Sequence, residues 1–320
     1  MTAVDAHASE ALAGDALVPG GKDEATRKGG ASGTGPTTGS RPRGGRSKRG
    51  VNGWVVLVMI CALTLLMVFP FWIALINGFK PATEYIHNGP LSIPTTLDLS
   101  ALTKFWVSID FNRKLLNSVI ISGGVALIAV ALSLFSAYAI GVGRIRGRVR
   151  ILAIFMVAFT IPQEALVYPL FKLSRDTGLY DSIWGVMIIM AVLQSAFGTY
   201  MLSSVLGSFP KEVLEAARLD GAGRWQVLRD IVLPLTRPTL AVLVTFFFIW
   251  TWNDFFLPMI LLPSAKNQTV SVALGALSGQ YTSDPTALAA ASLAGILPAL
   301  VFFLIFQRTL MRGINIGAIK

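Results

Sequence analysis

The sequence predicts an all-α, polytopic membrane protein with six transmembrane helices, and three observations predict it. The chain has 320 residues, 53% of them hydrophobic and only 14% charged, whereas soluble domains carry roughly 25% charged residues. The apolar residues come in six long blocks, the pattern of chains built for lipid. The formal net charge of +10 sits in the gaps between those blocks, where it reports topology; a nucleic-acid binder would cluster it on a folded polar surface. Transmembrane strands are excluded, because barrel strands are shorter and alternate in hydropathy.

Residues 1–50 form a region of their own, rich in Gly, Ser, Thr and Ala and almost free of large apolar residues. Such a segment cannot bury enough surface to offset its ordering entropy, so it reads as a disordered cytoplasmic tail. No apolar core follows a basic start near Met1, so it does not read as a signal peptide. Its last part, RPRGGRSKR at 41–49, reads as a positive-inside anchor for the first helix; a membrane-lipid patch is the sharper alternative.

The first block, 55–76, has no charge and, at about 1.5 Å per residue, is long enough to cross a hydrocarbon core of roughly 30 Å. Block 115–143 is uncharged. Block 151–171 carries Glu164, block 182–209 carries no charge, block 238–262 carries Asp254, and block 286–307 carries none. Pro162, Pro169, Pro258 and Pro298 are expected to kink their helices, which transporter bundles tolerate.

The connections orient the helices. Arg144, Arg146, Arg148 and Arg150 follow the second block without an acid. Lys211, Arg218, Arg224, Arg229 and Arg237 lie between the fourth and fifth, and Arg308, Arg312 and Lys320 follow the sixth. The alternate connections are poorer in cations: Arg175 stands against Asp176 and Asp181, and Lys266 against Asp284, while 79–114 is mixed. Lys and Arg accumulate on the cytoplasmic side, so six helices with both termini inside satisfy every loop. The expected segments are the tail 1–50, a first helix and extracytoplasmic loop over 51–112, the other five helices, and a cytoplasmic end over 308–320.

Cys61 is the one cysteine and lies inside an apolar run, and with His7 and His87 it makes no metal-ligand spacing. No metal, cofactor or nucleic-acid partner is expected. The phosphate-loop pattern GxxxxGK[ST] is missing, since Gly21-Lys22 is followed by Asp23.

The connection 208–238, SFPKEVLEAARLDGAGRWQVLRDIVLPLTRP, carries more than topology. Ser208 can cap a helix and Pro210 suits its first turn. A helix over 211–219 places Val213, Leu214, Ala217 and Leu219 on or near one face. Gly221 can stop it or turn the chain. A second short helix over 224–232 repeats the pattern with Trp225, Leu228 and Ile231, and Pro234 and Pro238 mark the return to the membrane. Two amphipathic helices joined by a glycine turn need another protein to cover their apolar faces.

These residues resemble the EAA loop of ABC importer permeases. Glu215-Ala216-Ala217, three residues, Gly221, nine residues, then Ile231-x-Leu233-Pro234 fit that pattern at every position. Trp252-Asn253-Asp254-Phe255 with Pro258 resembles the fifth-helix signature of sugar permeases. Gly279-Gln280-Tyr281, Ala289-Ala290-Ala291-Ser292, Phe306-Gln307-Arg308 and Gly317-Ala318-Ile319-Lys320 resemble the end of MalG-like carbohydrate-uptake permeases. The similarity spans 53–320. It implies the type I ABC importer (MetI-like) permease fold, with a core over 113–307 that holds the EAA loop 208–238 and the first helix outside it. It implies a subunit that moves a sugar or oligosaccharide across the cytoplasmic membrane without hydrolysing ATP itself. Its partners would be a second permease subunit in a heterodimer, an ABC ATPase dimer and an extracytoplasmic solute-binding protein. Glu215, Ala216, Ala217, Asp220, Gly221, Ile231, Leu233 and Pro234 would couple to the ATPase.

Glu164 and Asp254 are acids in apolar blocks, where ionisable groups are costly and face a cavity or a partner. They would line the solute path or pair with the other subunit, with Gln194 and Asn253 as hydroxyl partners. Trp250 and Trp252 would stack on a sugar ring or, the commoner role, pack between helices. A permease for a peptide, amino acid, polyol or glycerol phosphate is the alternative. A secondary transporter would show an inverted hydropathy repeat, and a membrane enzyme a nucleophile, base or metal cluster at one face; neither pattern is visible.

Overall fold

A computed structural model describes residues 51–143, 145–280 and 284–317. The expected tail 1–50, with His7 and the basic stretch 41–49, lies outside the described residues, as do Arg144, Tyr281 and the ending Ala318, Ile319 and Lys320. The chain divides into two units, Met1–Val55 and Val56–Lys320, and the second carries everything below.

All regular structure among the described residues is helical. Helix α1 spans Val51–Gly78, α2 Ala82–Asn88, α3 Ser100–Ser108 and α4 Phe111–Val142. Then come α5 (Arg148–Thr160), α6 (Gln163–Asp176), α7 (Ile183–Gly207) and α8 (Lys211–Leu219). The chain ends with α9 (Arg224–Asn253), α10 (Phe256–Leu261), α11 (Val270–Gln280) and α12 (Pro285–Gly317). Five helices, α1, α4, α7, α9 and α12, are long and apolar enough to cross a membrane, and α5 with α6 makes a sixth span bent by 92°. The protein is a multi-pass membrane protein.

Helices α4, α7 and α9 form the core. Ile121, Val125 and Ala129 of α4 meet Val186, Met190 and Leu202 of α7 and Leu243 and Phe247 of α9, all buried. Small residues let the backbones close up. A Cβ on Gly198 would clash with Ser133 and come within 2.9 Å of Phe247. The Ser133 hydroxyl donates to Ala129 O at 2.6 Å and to Ser195 O at 3.2 Å. Close approach through small residues, with hydroxyls as hydrogen-bonding glue, is how membrane helices associate when apolar burial gives no preference over lipid. Helix α1 is different: none of its apolar span is buried. It touches the rest of the unit at its C-terminal end, where Ile76 and Asn77 are buried and Gly78 abuts Ala290 and Leu293.

Two expected helices are corrected. Block 151–171 is not one kinked helix; it breaks between α5 and α6. Pro162 pushes the residue before it out of the helical region, and Ile161 is extended at φ −65°, ψ 123°. The expected short helix 224–232 and the fifth block are instead one helix, α9. Residues Val227–Val232 form a wide π turn directly before Pro234. That widening relieves the clash a proline ring makes with the carbonyl four residues back. The Thr236 hydroxyl donates to Val232 O at 2.8 Å and reinforces the turn. The fifth block also ends early, at Asn253, with Asp254 extended (ψ 125°) before α10. Pro169, Pro258 and Pro298 lie inside α6, α10 and α12 without ending them.

Candidate functional site

Two places gather the polar and exposed groups. The first is an elbow made by α8 and the start of α9. Helix α8 turns Ala217 inward, and half-buried Leu214 and Ala222 join it against Val227 and Leu228. Val213 and Leu219 do not share that inner face, contrary to the sequence reading: Val213 is exposed and Leu219 is 89% exposed. Helix α8 closes with two backbone bonds, Asp220 N–H to Ala216 O and Ala222 N–H to Ala217 O, both at 2.9 Å. This is a Schellman ending, and its left-handed residue is Gly221 at φ +79°. A Cβ at Gly221 would meet nothing within 4 Å, so backbone conformation alone requires the glycine.

The elbow is fixed to the core from α4. The Tyr138 hydroxyl donates to Arg224 O at 2.7 Å, and Phe135 stacks on Trp225 with ring centres 6.4 Å apart. Gly223 N–H donates to Gln226 Oε1 at 2.7 Å and starts α9. The side chains of Glu215, Ala216, Asp220 and Pro234 are exposed, Ile231 and Leu233 are half-buried, and Trp225 is 65% exposed. A short stretch thus presents a carboxylate-bearing helix beside exposed apolar groups on a braced support.

The second place is a cavity of about 190 Å³ where the two helix breaks meet. Ile161 and Gln163 line it from the α5–α6 break, Gln194 from α7, and Trp250 and Asp254 from the end of α9. The Gln194 amide donates to Thr251 Oγ1 at 2.9 Å, and its buried Oε1 has no hydrogen-bond partner among the described residues. Asp254 accepts from Leu257 N–H at 3.2 Å and so caps α10. Trp250 sits among Phe159, Phe197 and Phe246, with ring centres 5.1 to 6.2 Å away. Trp252 is instead buried and stacked on Phe248 at 5.8 Å.

The end of α10 and the segment after it are pinned by the loop before α7. Asp181 N–H donates to Leu261 O at 3.0 Å, and Asn267 donates to Asp181 O at 2.6 Å. Ser264 donates to the Asp181 carboxylate through its N–H, at 3.2 Å, and through its hydroxyl. Burial pulls this carboxyl up, but the bonds from Ser264 and Asn267 and the charge of Lys266 outweigh it and hold the group below its usual range.

Residues 129–315 match the family model described as the binding-protein-dependent transport system inner membrane component. That is more than half of the chain. The chain belongs to this family of transport permease subunits. Among its relatives is the inner membrane ABC transporter permease protein YcjP of Escherichia coli, 31% identical over 81% of this chain and 95% of that protein. Another is the probable starch degradation products transport system permease protein AmyC of Thermoanaerobacterium thermosulfurigenes, 29% identical over 84% of this chain and 98% of that protein. The fold matches a crystal structure of a bacterial ABC transporter that imports the acidic polysaccharide alginate. The TM-score is 0.70 at 23% identity, covering 84% of this chain and 99% of that one.

Within this permease subunit the structure brings Gln194 and Asp254 together. Glu164 is exposed in the first turn of α6, outside the described lining, and Asn253 turns its exposed amide back to Ile249 O at 2.8 Å. The cavity lining adds Gln163 and Phe159, which the sequence did not single out, and Trp250, for which it left sugar stacking and helix packing both open. The available signal was Ile161-Pro162, which marks a break rather than a kink.

Proposed function

We propose that the chain is the permease subunit of an ATP-binding-cassette importer that carries a sugar or oligosaccharide across the cytoplasmic membrane. The observation that carries this is the family match over 129–315, which encloses an elbow with an exposed Glu215 and a glycine turn. The relative named for starch degradation products supports the solute class. A second permease subunit would complete a heterodimer, an ATPase dimer would dock on the elbow and hydrolyse the ATP, and an extracytoplasmic binding protein would deliver the solute. Both termini would lie inside, the core would run over 113–307, and membrane lipid would surround α1.

The coupling residues are Glu215, Ala216, Ala217, Asp220, Gly221, Ile231, Leu233 and Pro234. Glu215 would accept charge-assisted hydrogen bonds from the ATPase, and the alanines would allow close approach. Helix α9 supplies the transmission, because it runs 30 residues from the elbow to the cavity without a break. That is a rod of about 45 Å. A push at Arg224 therefore reaches Trp250 and Asp254 as rigid-body movement, and import follows from switching between two states that bind ATP unequally. The solute path would pass Glu164, Gln194, Asn253 and Asp254.

Glu215→Ala tests the coupling. In the assembled importer reconstituted in vesicles, the substitution should lower solute-driven ATP hydrolysis and uptake of labelled maltose, trehalose or cellobiose about 10-fold or more. The scale is that of losing a hydrogen bond to a charged group. The chain itself should stay in the membrane. Uptake at the unaltered rate in assembled complexes would remove the elbow from the mechanism.

A further inference from the structure

We propose that the cavity at the two helix breaks is a subsite for a single neutral sugar ring, and that its acidic group turns uronates away. The proposal rests on reading the chain as a sugar permease subunit. It goes beyond that reading by placing a solute contact in this chain and by choosing between neutral and acidic saccharides.

Broken backbone at membrane depth persists only where it is covered by protein or lines a cavity. Here two breaks, at Ile161–Pro162 and at Asp254–Phe255, open onto the same space. The segments that follow them, α6 and α10, pack on one another. The breaks therefore form one feature, although about ninety residues separate them in sequence.

The cavity has the groups that recognise a hydroxylated ring. Gln194 is 4% exposed and lines this space, and its Oε1 has no donor among the described residues. A buried acceptor without a donor is unfavourable, and a sugar hydroxyl supplies the donor. Gln163 adds an amide and Asp254 a carboxylate to the same lining. Trp250 is 37% exposed, unlike Trp252 at 5%, and lines the space with those groups. An apolar platform with a few convergent polar groups is the pattern of a small-molecule site. The volume, about 190 Å³, is below the roughly 300–1,000 Å³ of pockets that enclose drug-sized ligands. One ring fits, and a longer saccharide would have to pass ring by ring.

Charge sets the second half of the proposal. The described lining holds Asp254 and no Lys or Arg. A uronate would bring its carboxylate beside that acid with no cation to meet it, which disfavours binding inside a low-dielectric wall.

Thiol protection in the assembled importer tests both parts. Ala158 lines the cavity, so Ala158→Cys is made together with Cys61→Ser, and labelling by N-ethylmaleimide is timed in membrane vesicles. The probes are maltose, trehalose, cellobiose and digalacturonate, and uptake of each is measured alongside. A neutral disaccharide that is taken up should slow labelling at least fivefold, digalacturonate should not, and adding Gln194→Leu should abolish the protection. Asp254→Asn should raise the response to digalacturonate. If Gln194→Leu does not assemble, Trp250→Ala read against Trp250→Phe provides the same contrast. A transported sugar that leaves labelling unchanged overturns the subsite while the sugar-importer reading stands. Uptake of digalacturonate in preference to the neutral sugars overturns the charge argument. An importer that moves amino acids or peptides in place of all these sugars overturns the parent reading.

Discussion

The elbow and the cavity are built in opposite ways. The elbow is local: a helix, a glycine turn and a helix start within 211–234, with its side chains exposed and its backbone bonds closed among neighbours. The cavity is assembled from α5, α6, α7 and α9, and depends on two places where helices stop. The elbow presents groups outward, where the proposed partner would dock, whereas the cavity is lined by Gln194, whose acceptor has no donor among the described residues and is proposed to meet the solute. Helix α9 joins them, so the two ends should respond separately to substitutions at either end and together to substitutions in the core.

The largest effect is expected where the two regions share support. Gly198→Val forces a branched side chain against Ser133 and Phe247. Overpacking of this kind costs about 3 kcal/mol. Both uptake and complex yield should collapse, read by size-exclusion of the solubilised importer; normal yield would show that α4, α7 and α9 do not form a common core. Next comes the elbow alone. Gly221→Val places a β-branched residue at φ +79°, a strain of about 2 kcal/mol. ATPase recovery with the permease should fall with yield retained, and Gly221→Ala should fall less. Undiminished recovery for both would mean that the left-handed turn at position 221 is not what selects glycine.

The smallest effect concerns the segment after α10. Asp181 holds the Leu261–Asn267 segment, and its folded carboxyl titrates below the ordinary range. A depressed carboxyl stabilises the fold above its unfolded pKa, and that stability is lost as pH falls through the folded pKa. Asp181→Asn should therefore lower the melting temperature at pH 7, by no more than about 1 kcal/mol in stability because the group is largely open to solvent. The difference from wild type should shrink below about pH 4. A difference that persists unchanged in acid would assign the effect to packing.

The elbow was readable because its determinants are contiguous. A capped helix, a glycine needed for positive φ and a proline-marked exit each leave a mark within a few residues, and Gly221 adopted the turn expected of it. The six apolar blocks were equally readable, since span length is set by the membrane. The exit itself misled: Pro234 and Pro238 read as a boundary, but the π turn at Val227–Val232 carries the helix through them. A π turn has no compositional mark. The cavity was only partly readable. Glu164, Gln194, Asn253 and Asp254 stood out as polar residues in apolar blocks, yet which of them meet depends on the 92° bend at Pro162 and on how α6 packs against α10. Spacing along the chain holds no record of that encounter. The inward turn of Leu214 and Ala217, and the outward turn of Leu219, likewise depend on where Val227 and Leu228 of α9 lie.

The coupling claim is tested most directly by photo-crosslinking from position 219, whose leucine is 89% exposed on the elbow. With Leu219→p-benzoylphenylalanine in intact cells, illumination should join the chain to a nucleotide-hydrolysing subunit, and added ATP analogue in permeabilised cells should change the yield. A chain that crosslinks only to extracytoplasmic proteins, or to no ATPase under any nucleotide condition, would contradict the account.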